Sequence, residues 1–225
     1  MTRQLVGVVG YVALFAVLLF VPAGTLHWRA AWIVLGVLFF LRAVSAGRLW
    51  MVQRELAEQR TKFPIQRGQI SADRPLLIAL MASFAALIAF ASADLWHLHL
   101  LPVFTPTVRV IGLVLFALGW WIVYLALSAN AYAVTVVRFQ DERGHEVVEG
   151  GLYRHVRHPM YAGLVLVNSG LCIWLGSIAA LIATTVPLAL LVIRVLFEER
   201  MLRARLPEYG EYASRVRWRL VRGVW

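Results

Sequence analysis

The chain has 225 residues, 61% of them hydrophobic and only 15% charged, with a mean hydropathy of +0.73. A soluble domain carries about a quarter charged residues, so composition excludes an ordinary soluble protein and points to an all-α polytopic membrane bundle forming a single structural domain. A net charge of +10 invites a nucleic-acid reading, but the basic residues are scattered over loops between apolar runs, a pattern that suits anionic lipid headgroups and no nucleic acid.

Six apolar segments follow one another. The first, Leu5–Ala23, is long for a signal-peptide core and no small-x-small cleavage site follows it, so it reads as a retained span. Ala30–Ala46, Leu76–Ala93 and Val108–Leu127 come next. The fifth, Tyr161–Leu175, is short against the roughly 17–20 residues that a span needs. Only Gly176-Ser177 joins it to the sixth, Ile178–Phe197, which predicts a tight helical hairpin. The expectation is therefore six transmembrane helices, with five as the alternative. Residues 1–130 read as N-terminal transmembrane helices, and 131–225 as a second stretch of polar loop and helical hairpin ending in a basic amphipathic helix on the membrane surface.

Arginine placement orients the bundle. Arg48, Arg54, Arg60, Lys62, Arg67 and Arg74 follow the second segment, and Arg138, Arg143, Arg154 and Arg157 follow the fourth. Seven arginines from Arg200 to Arg222 fill the tail, whereas the alternate loops offer only Arg29 and Arg109. Both termini are expected on the cytoplasmic side of a membrane, read as a bacterial inner membrane. Trp28, Trp50, Trp96 and Trp174 fall near segment ends, as interfacial anchors do. Cys172 reads as a small buried hydrophobe, with no partners for a disulfide or a metal. Arg42 reads as snorkelling from a helix end, Asp94, His97 and His99 as a solvated loop, and Asn130 as a possible interhelical hydrogen-bonder.

The chemistry concentrates in Gly151-Leu-Tyr-Arg-His-Val-Arg-His-Pro-Met-Tyr-Ala-Gly163, a dense polar cluster between two apolar segments. Such groups are costly at a membrane face unless they hold a ligand or a headgroup. Gly150-Gly151 allows close main-chain approach, Pro159 suits the first turn of a helix, and Tyr153, Arg157, His158 and Tyr161 supply rings, a cation and hydroxyls. A second polar set ends the sixth segment. Arg194 and Glu198, four apart, share a helix face, either as a salt bridge or as two walls of one pocket. There is no GxGxxG, phosphate-binding loop, metal-ligand spacing or nucleophile elbow, which disfavours a Rossmann methyltransferase or a nucleotidase.

His145-Glu-Val-Val148, Gly151-Leu-Tyr153, Arg157-His-Pro-Met-Tyr161, Arg194, Glu198-Glu199-x-x-Leu202 and Glu208-Tyr-x-Glu-Tyr212 occur in that order. In these motifs the last 90 or so residues resemble the integral-membrane methyltransferases of the isoprenylcysteine carboxyl methyltransferase type and their phospholipid methyltransferase cousins. The resemblance implies S-adenosylmethionine bound at the cytosolic face by His145, Glu146, Val147, Val148, Tyr153, Arg157, His158, Pro159, Met160, Tyr161 and Glu198. Gln140, with Arg138 as its alternative, would add a further contact. Arg194 would be the catalytic-site contact to an acceptor carboxylate. Leu206-Pro207 and Arg222 depart from the family pattern outside the cofactor motif.

The resulting expectation is a membrane methyltransferase using S-adenosylmethionine on a lipophilic small molecule or lipid, by carboxylate O-methylation. Phospholipid amine N-methylation and thiol S-methylation are the alternatives. The rival from another class is a non-catalytic transport or assembly factor that keeps only the fold.

Overall fold

A chain this apolar must satisfy its backbone hydrogen bonds within itself, and helices do so one segment at a time. The computed structural model describes residues 2–59, 69, 73–138, 140 and 144–225; Arg60, Lys62, Arg67 and Arg143 lie outside the described residues. The helices are α1 (Thr2–Ala23), α2 (Arg29–Val52), α3 (Arg54–Gln59), α4 (Asp73–Ala93), α5 (Pro106–Ala129), α6 (Pro159–Leu175), α7 (Ile178–Ala183), α8 (Thr185–Arg205) and α9 (Tyr209–Arg215). Among the described residues five stretches are long and apolar enough to cross a membrane, with α7 and α8 counted as one. Along them Leu5, Val17, Phe40, Met81, Val114 and Leu196 point outward, which suits a lipid surround.

Among the described residues five helices reach the length of a span, as the five-span alternative expects, yet the shorter α6 still runs from the polar cluster at Pro159 to the opposite end of the bundle at Trp174. Helix α6 has 17 residues, about 26 Å at 1.5 Å per residue, short of the roughly 30 Å hydrocarbon core. It stops at Gly176, whose φ of 111° few other residues would adopt. The sixth segment is not one rod, because Pro187 cannot donate to the Ala183 carbonyl and its ring crowds that oxygen; the helix breaks at Thr184. Helix α2 runs past Ala46 to Val52, its last turns anchored by the buried Leu49.

Helices α5 and α6 lie in the closest contact. A Cβ on Gly119 would come 2.7 Å from the Gly163 carbonyl, and one on Gly163 would come 2.8 Å from the Gly119 carbonyl. Gly112 and Gly170 repeat the arrangement deeper in the pair, where a Cβ on Gly170 would meet the Gly112 carbonyl at 2.7 Å. Small residues let backbones approach where lipid supplies no hydrophobic drive.

Polar side chains tie both ends of the bundle. At one end Gln4 Nε2 donates to the Ala57 carbonyl at 2.8 Å, and Gln53 Nε2 to the Ser128 carbonyl at 2.6 Å. At the other end Trp174 Nε1 donates to the Ala30 carbonyl at 2.8 Å and Arg109 Nε to the Trp174 carbonyl at 2.9 Å. Asp94 corrects the expectation of a solvated loop. It is 2% exposed, in a π-turn over Asp94–Leu98, and accepts from Ser177 Oγ at 2.5 Å and the Leu100 amide at 3.0 Å. His97 and His99 stay exposed.

The amphipathic tail helix is α9, seven residues long, with Tyr209, Tyr212 and Ala213 buried. Its apolar face packs on Leu206, Val147, Leu202 and Val216 of the protein itself. The chain then folds back, so that the Trp225 carbonyl accepts from the Arg219 and Leu220 amides at 2.9 and 3.0 Å.

Candidate active site

The polar cluster begins with a one-turn 3-10 helix, Gly151–Arg154, entered through Gly151 at a φ of 58°. That turn carries Tyr153 into the interior, 7% exposed. Asn130, just past α5, donates its amide to the Tyr153 hydroxyl at 3.2 Å, and Tyr212 of α9 donates to the Tyr153 carbonyl at 2.8 Å. Burial pushes the Tyr212 and Tyr209 phenols up from their ordinary value, so both remain protonated donors.

The adjacent glutamates of α8 separate. Glu199 is 4% exposed and receives three cationic or ring donors: Arg157 Nε at 2.6 Å, Arg219 Nε at 3.1 Å and His158 Nε2 at 3.2 Å. Arg157 also donates through Nη1 to the carbonyls of Val216 and Arg217 at 2.9 and 3.1 Å. The backbone amides of Arg157 and His158 donate to the Trp218 and Arg219 carbonyls. This network clamps the folded-back tail onto the start of α6. Glu198 points the other way and accepts from the Tyr161 hydroxyl at 2.7 Å.

Between the loop after α5 and helices α6, α8 and α9 lies a cavity. His145, Glu146, Val147, Val148, Tyr153, Arg157, His158, Met160, Tyr161, Arg194 and Glu198 all line it, as does Arg138. Gln140 and Pro159 are corrections, since neither lines it. Gln140 is wholly buried behind the wall and its Nε2 donates to the Tyr132 carbonyl at 2.7 Å. Pro159 is the buried first residue of α6.

Arg194 lines the cavity with Glu198 but takes its ion-pair partner elsewhere. It shares a helix face with Glu198, yet its Nε donates to Asp73 Oδ1 at 3.1 Å and its Nη2 to the Thr135 carbonyl at 2.7 Å. Asp73, 2% exposed, also accepts through Oδ2 from Gln69 Nε2 and the Val137 amide, both at 2.8 Å. Sequence reasoning missed Asp73, because an acid ahead of an apolar run reads as an ordinary first-turn residue. It also gave no site role to Tyr132, nor to Tyr209 and Tyr212 of the quoted Glu208-Tyr-x-Glu-Tyr212 motif, all of which line the cavity. For the last two that motif was the available signal.

Residues 107–208 match the family described as phospholipid methyltransferase. Over 112 residues the chain is also 33% identical to two rice proteins, from Oryza sativa subsp. indica and subsp. japonica, each named probable protein-S-isoprenylcysteine O-methyltransferase. That match covers 48% of this chain and 59% of the rice proteins' length. The matched stretch runs from the start of α5 to Glu208, leaving α1–α4 outside it.

The cavity lining suits an amphoteric nucleoside. Glu198 offers a carboxylate toward a cation, Tyr132 stacks on His145 with ring centroids 4.4 Å apart, and the Tyr209 hydroxyl is buried without a hydrogen-bond partner among the described residues. The enclosed room is only about 80 Å³, against the roughly 300–1,000 Å³ of ligand pockets. A nucleoside-sized guest therefore requires the described lining side chains, such as Tyr132, His145 and Tyr209, to move apart.

Proposed function

We propose that the protein is an integral-membrane methyltransferase that uses S-adenosylmethionine on a lipophilic acceptor, by carboxylate O-methylation. The observation that carries this reading is the junction of Tyr161, Met160 and Arg194. These residues line both the polar cavity and a larger cavity of about 1290 Å³ reaching among α1, α2 and α5. Met160, Tyr161 and Arg194, together with Val134, thus form a threshold where a water-soluble donor and a membrane-soluble acceptor would meet.

In this reading Glu198, His145–Val148, Tyr153 and Tyr161 hold the cofactor, which when bound supplies an activated methyl on a sulfonium. The protein's part is alignment and exclusion of water. Tyr161 keeps Glu198 aimed by its hydroxyl bond, and Arg194, held by Asp73 and Thr135, sits at the threshold in one orientation. A carboxylate acceptor is already ionised at neutral pH and needs no base. An amine acceptor would need one, and the nearest candidates, His158 and Glu199, are engaged with each other and with Arg157 and Arg219. This favours the carboxylate. Phospholipid N-methylation is the second reading, favoured by the family description matched over residues 107–208.

The same reading puts the polar cavity and both termini on the cytoplasmic side of an inner membrane. The test is purified protein in detergent, titrated with S-adenosylmethionine or its demethylated product, followed by mass spectrometry of membrane extracts given methyl-labelled cofactor. Binding with a raised melting temperature, and label in a lipophilic product, are expected. Monodisperse protein that binds neither compound refutes the enzyme and returns the rival, a non-catalytic transport or assembly factor.

A further inference from the structure

The larger cavity contains a cation that the mechanism does not use. Arg42, in the middle of α2, lies with its guanidinium carbon 4.5 Å from the Tyr11 ring centroid and 5.4 Å from that of Trp120. The two rings meet edge to face with centroids 6.0 Å apart. Among the described residues no carboxylate pairs with Arg42, in contrast to Arg194, which Asp73 neutralises. Glu58 also lines the cavity but pairs with Arg54 at 3.2 Å.

Stacking explains where the guanidinium sits but not its hydrogen bonds. A ring face engages the cation's charge, whereas its N–H groups still require oxygen acceptors. Arg42 Nε is buried and lacks a hydrogen-bond partner among the described residues, and so does Trp120 Nε1 on the neighbouring ring. Both residues line the same cavity. Two buried donors without acceptors, one of them cationic, make a place for an anionic oxygen group. Arg42 and Trp120 line the same cavity as the threshold residues Met160, Tyr161 and Arg194. Val6, Val123, Leu127 and Leu164 supply an apolar wall for a hydrocarbon chain.

We propose that Arg42 and Trp120 bind the anionic group of an amphiphile in the cavity between α1, α2, α5 and α6, and so select an anionic acceptor. The word acceptor rests on the methyltransferase reading; the anion site does not. A fatty carboxylate and a phospholipid phosphate share the required chemistry.

The test uses the full chain in a non-ionic detergent, with labelled oleate, phosphatidylglycerol and the neutral oleyl alcohol as probes. At least one anion should bind about tenfold or more tighter than the alcohol, as expected of a charge-assisted hydrogen bond; the tighter anion names the source. Arg42→Gln should erase the difference while leaving affinity for the demethylated cofactor unchanged, and Arg42→Lys should keep part of it. If Arg42→Gln does not fold, Trp120→Phe, which removes the indole N–H, should narrow the gap a few-fold. Equal binding of all three probes by the wild type, or a full preference retained in folded Arg42→Gln or in Trp120→Phe, overturns the proposal. A protein that prefers the anion yet binds no S-adenosylmethionine would sink the methyltransferase reading and leave the anion site standing.

Discussion

Removing the Asp73 carboxylate isolates the ion pair that fixes Arg194. Asp73 is 2% exposed and Arg194 5%, and three hydrogen bonds converge on the one carboxylate. Breaking a buried pair from one side typically costs about 3–5 kcal/mol, because the remaining charge stays buried without its partner. At about 2–4 °C per kcal/mol for a chain of this size, Asp73→Ala should lower the melting temperature of the detergent-solubilised protein by roughly 6–20 °C. Asp73→Ala combined with Arg194→Met should recover much of that loss, since no unpaired charge remains. A double variant no more stable than Asp73→Ala, or a single variant within about 2 °C of wild type, would refute the pairing argument. The experiment also bears on Arg194 itself. If its charge is held by Asp73, Arg194→Ala loses stability together with turnover, and only the turnover of Arg194→Lys, at matched stability, isolates a contact to the acceptor.

Other outcomes follow from the same geometry. Gly119→Leu or Gly163→Leu should prevent α5 and α6 from closing and abolish folded protein on size exclusion, because a single added Cβ already falls within 2.8 Å of the opposing carbonyl. Tyr161→Phe should weaken cofactor affinity several-fold with little change in melting temperature, having lost the bond that aims Glu198. Cysteine labels at Glu58, Glu146 and Ser214 should react from one side of the membrane and a label at His99 from the other; Glu146 and Ser214 on opposite sides would break the cavity apart.

Local patterns were legible in the sequence. The apolar runs, the Gly176-Ser177 turn and each polar motif reside in a few consecutive residues; the first five runs form the expected helices, while the sixth breaks at Thr184 and α3 was not foreseen. Partnerships across long separations were not. Asp73 and Arg194 are 121 residues apart and Ser177 and Asp94 are 83 apart, and nothing in either neighbourhood names the other. Arg42 read as a snorkelling arginine because its ring partners, Tyr11 and Trp120, lie on two other helices. The tail read as a surface helix since its alternation of Arg with Leu, Tyr and Trp is the same whether the apolar face meets lipid or protein. Only the fold reveals that α9 covers the cavity.

The neighbouring glutamates of α8 provide the sharpest separation of site from scaffold. They differ by one position and therefore by about 100° around the helix, which is enough to send them into different environments. Glu199 faces Arg157, His158 and Arg219 and holds the returning tail; Glu198 faces Tyr161 and the cavity. Glu199→Gln keeps the shape but leaves two guanidinium groups with a neutral partner. It should therefore unclamp the tail, lower the melting temperature by several degrees and expose the peptide bonds near Trp218 to protease. Glu198→Gln removes a charge that no arginine among the described residues pairs with directly, so the melting temperature of the ligand-free protein should stay within about 2 °C while its rise on adding S-adenosylmethionine is lost. Melting curves of both variants with and without cofactor decide the matter in one experiment. If Glu198→Gln proves the unstable variant and Glu199→Gln keeps its fold but not its ligand response, the assignment of the two carboxylates is reversed, and with it the orientation of the cavity.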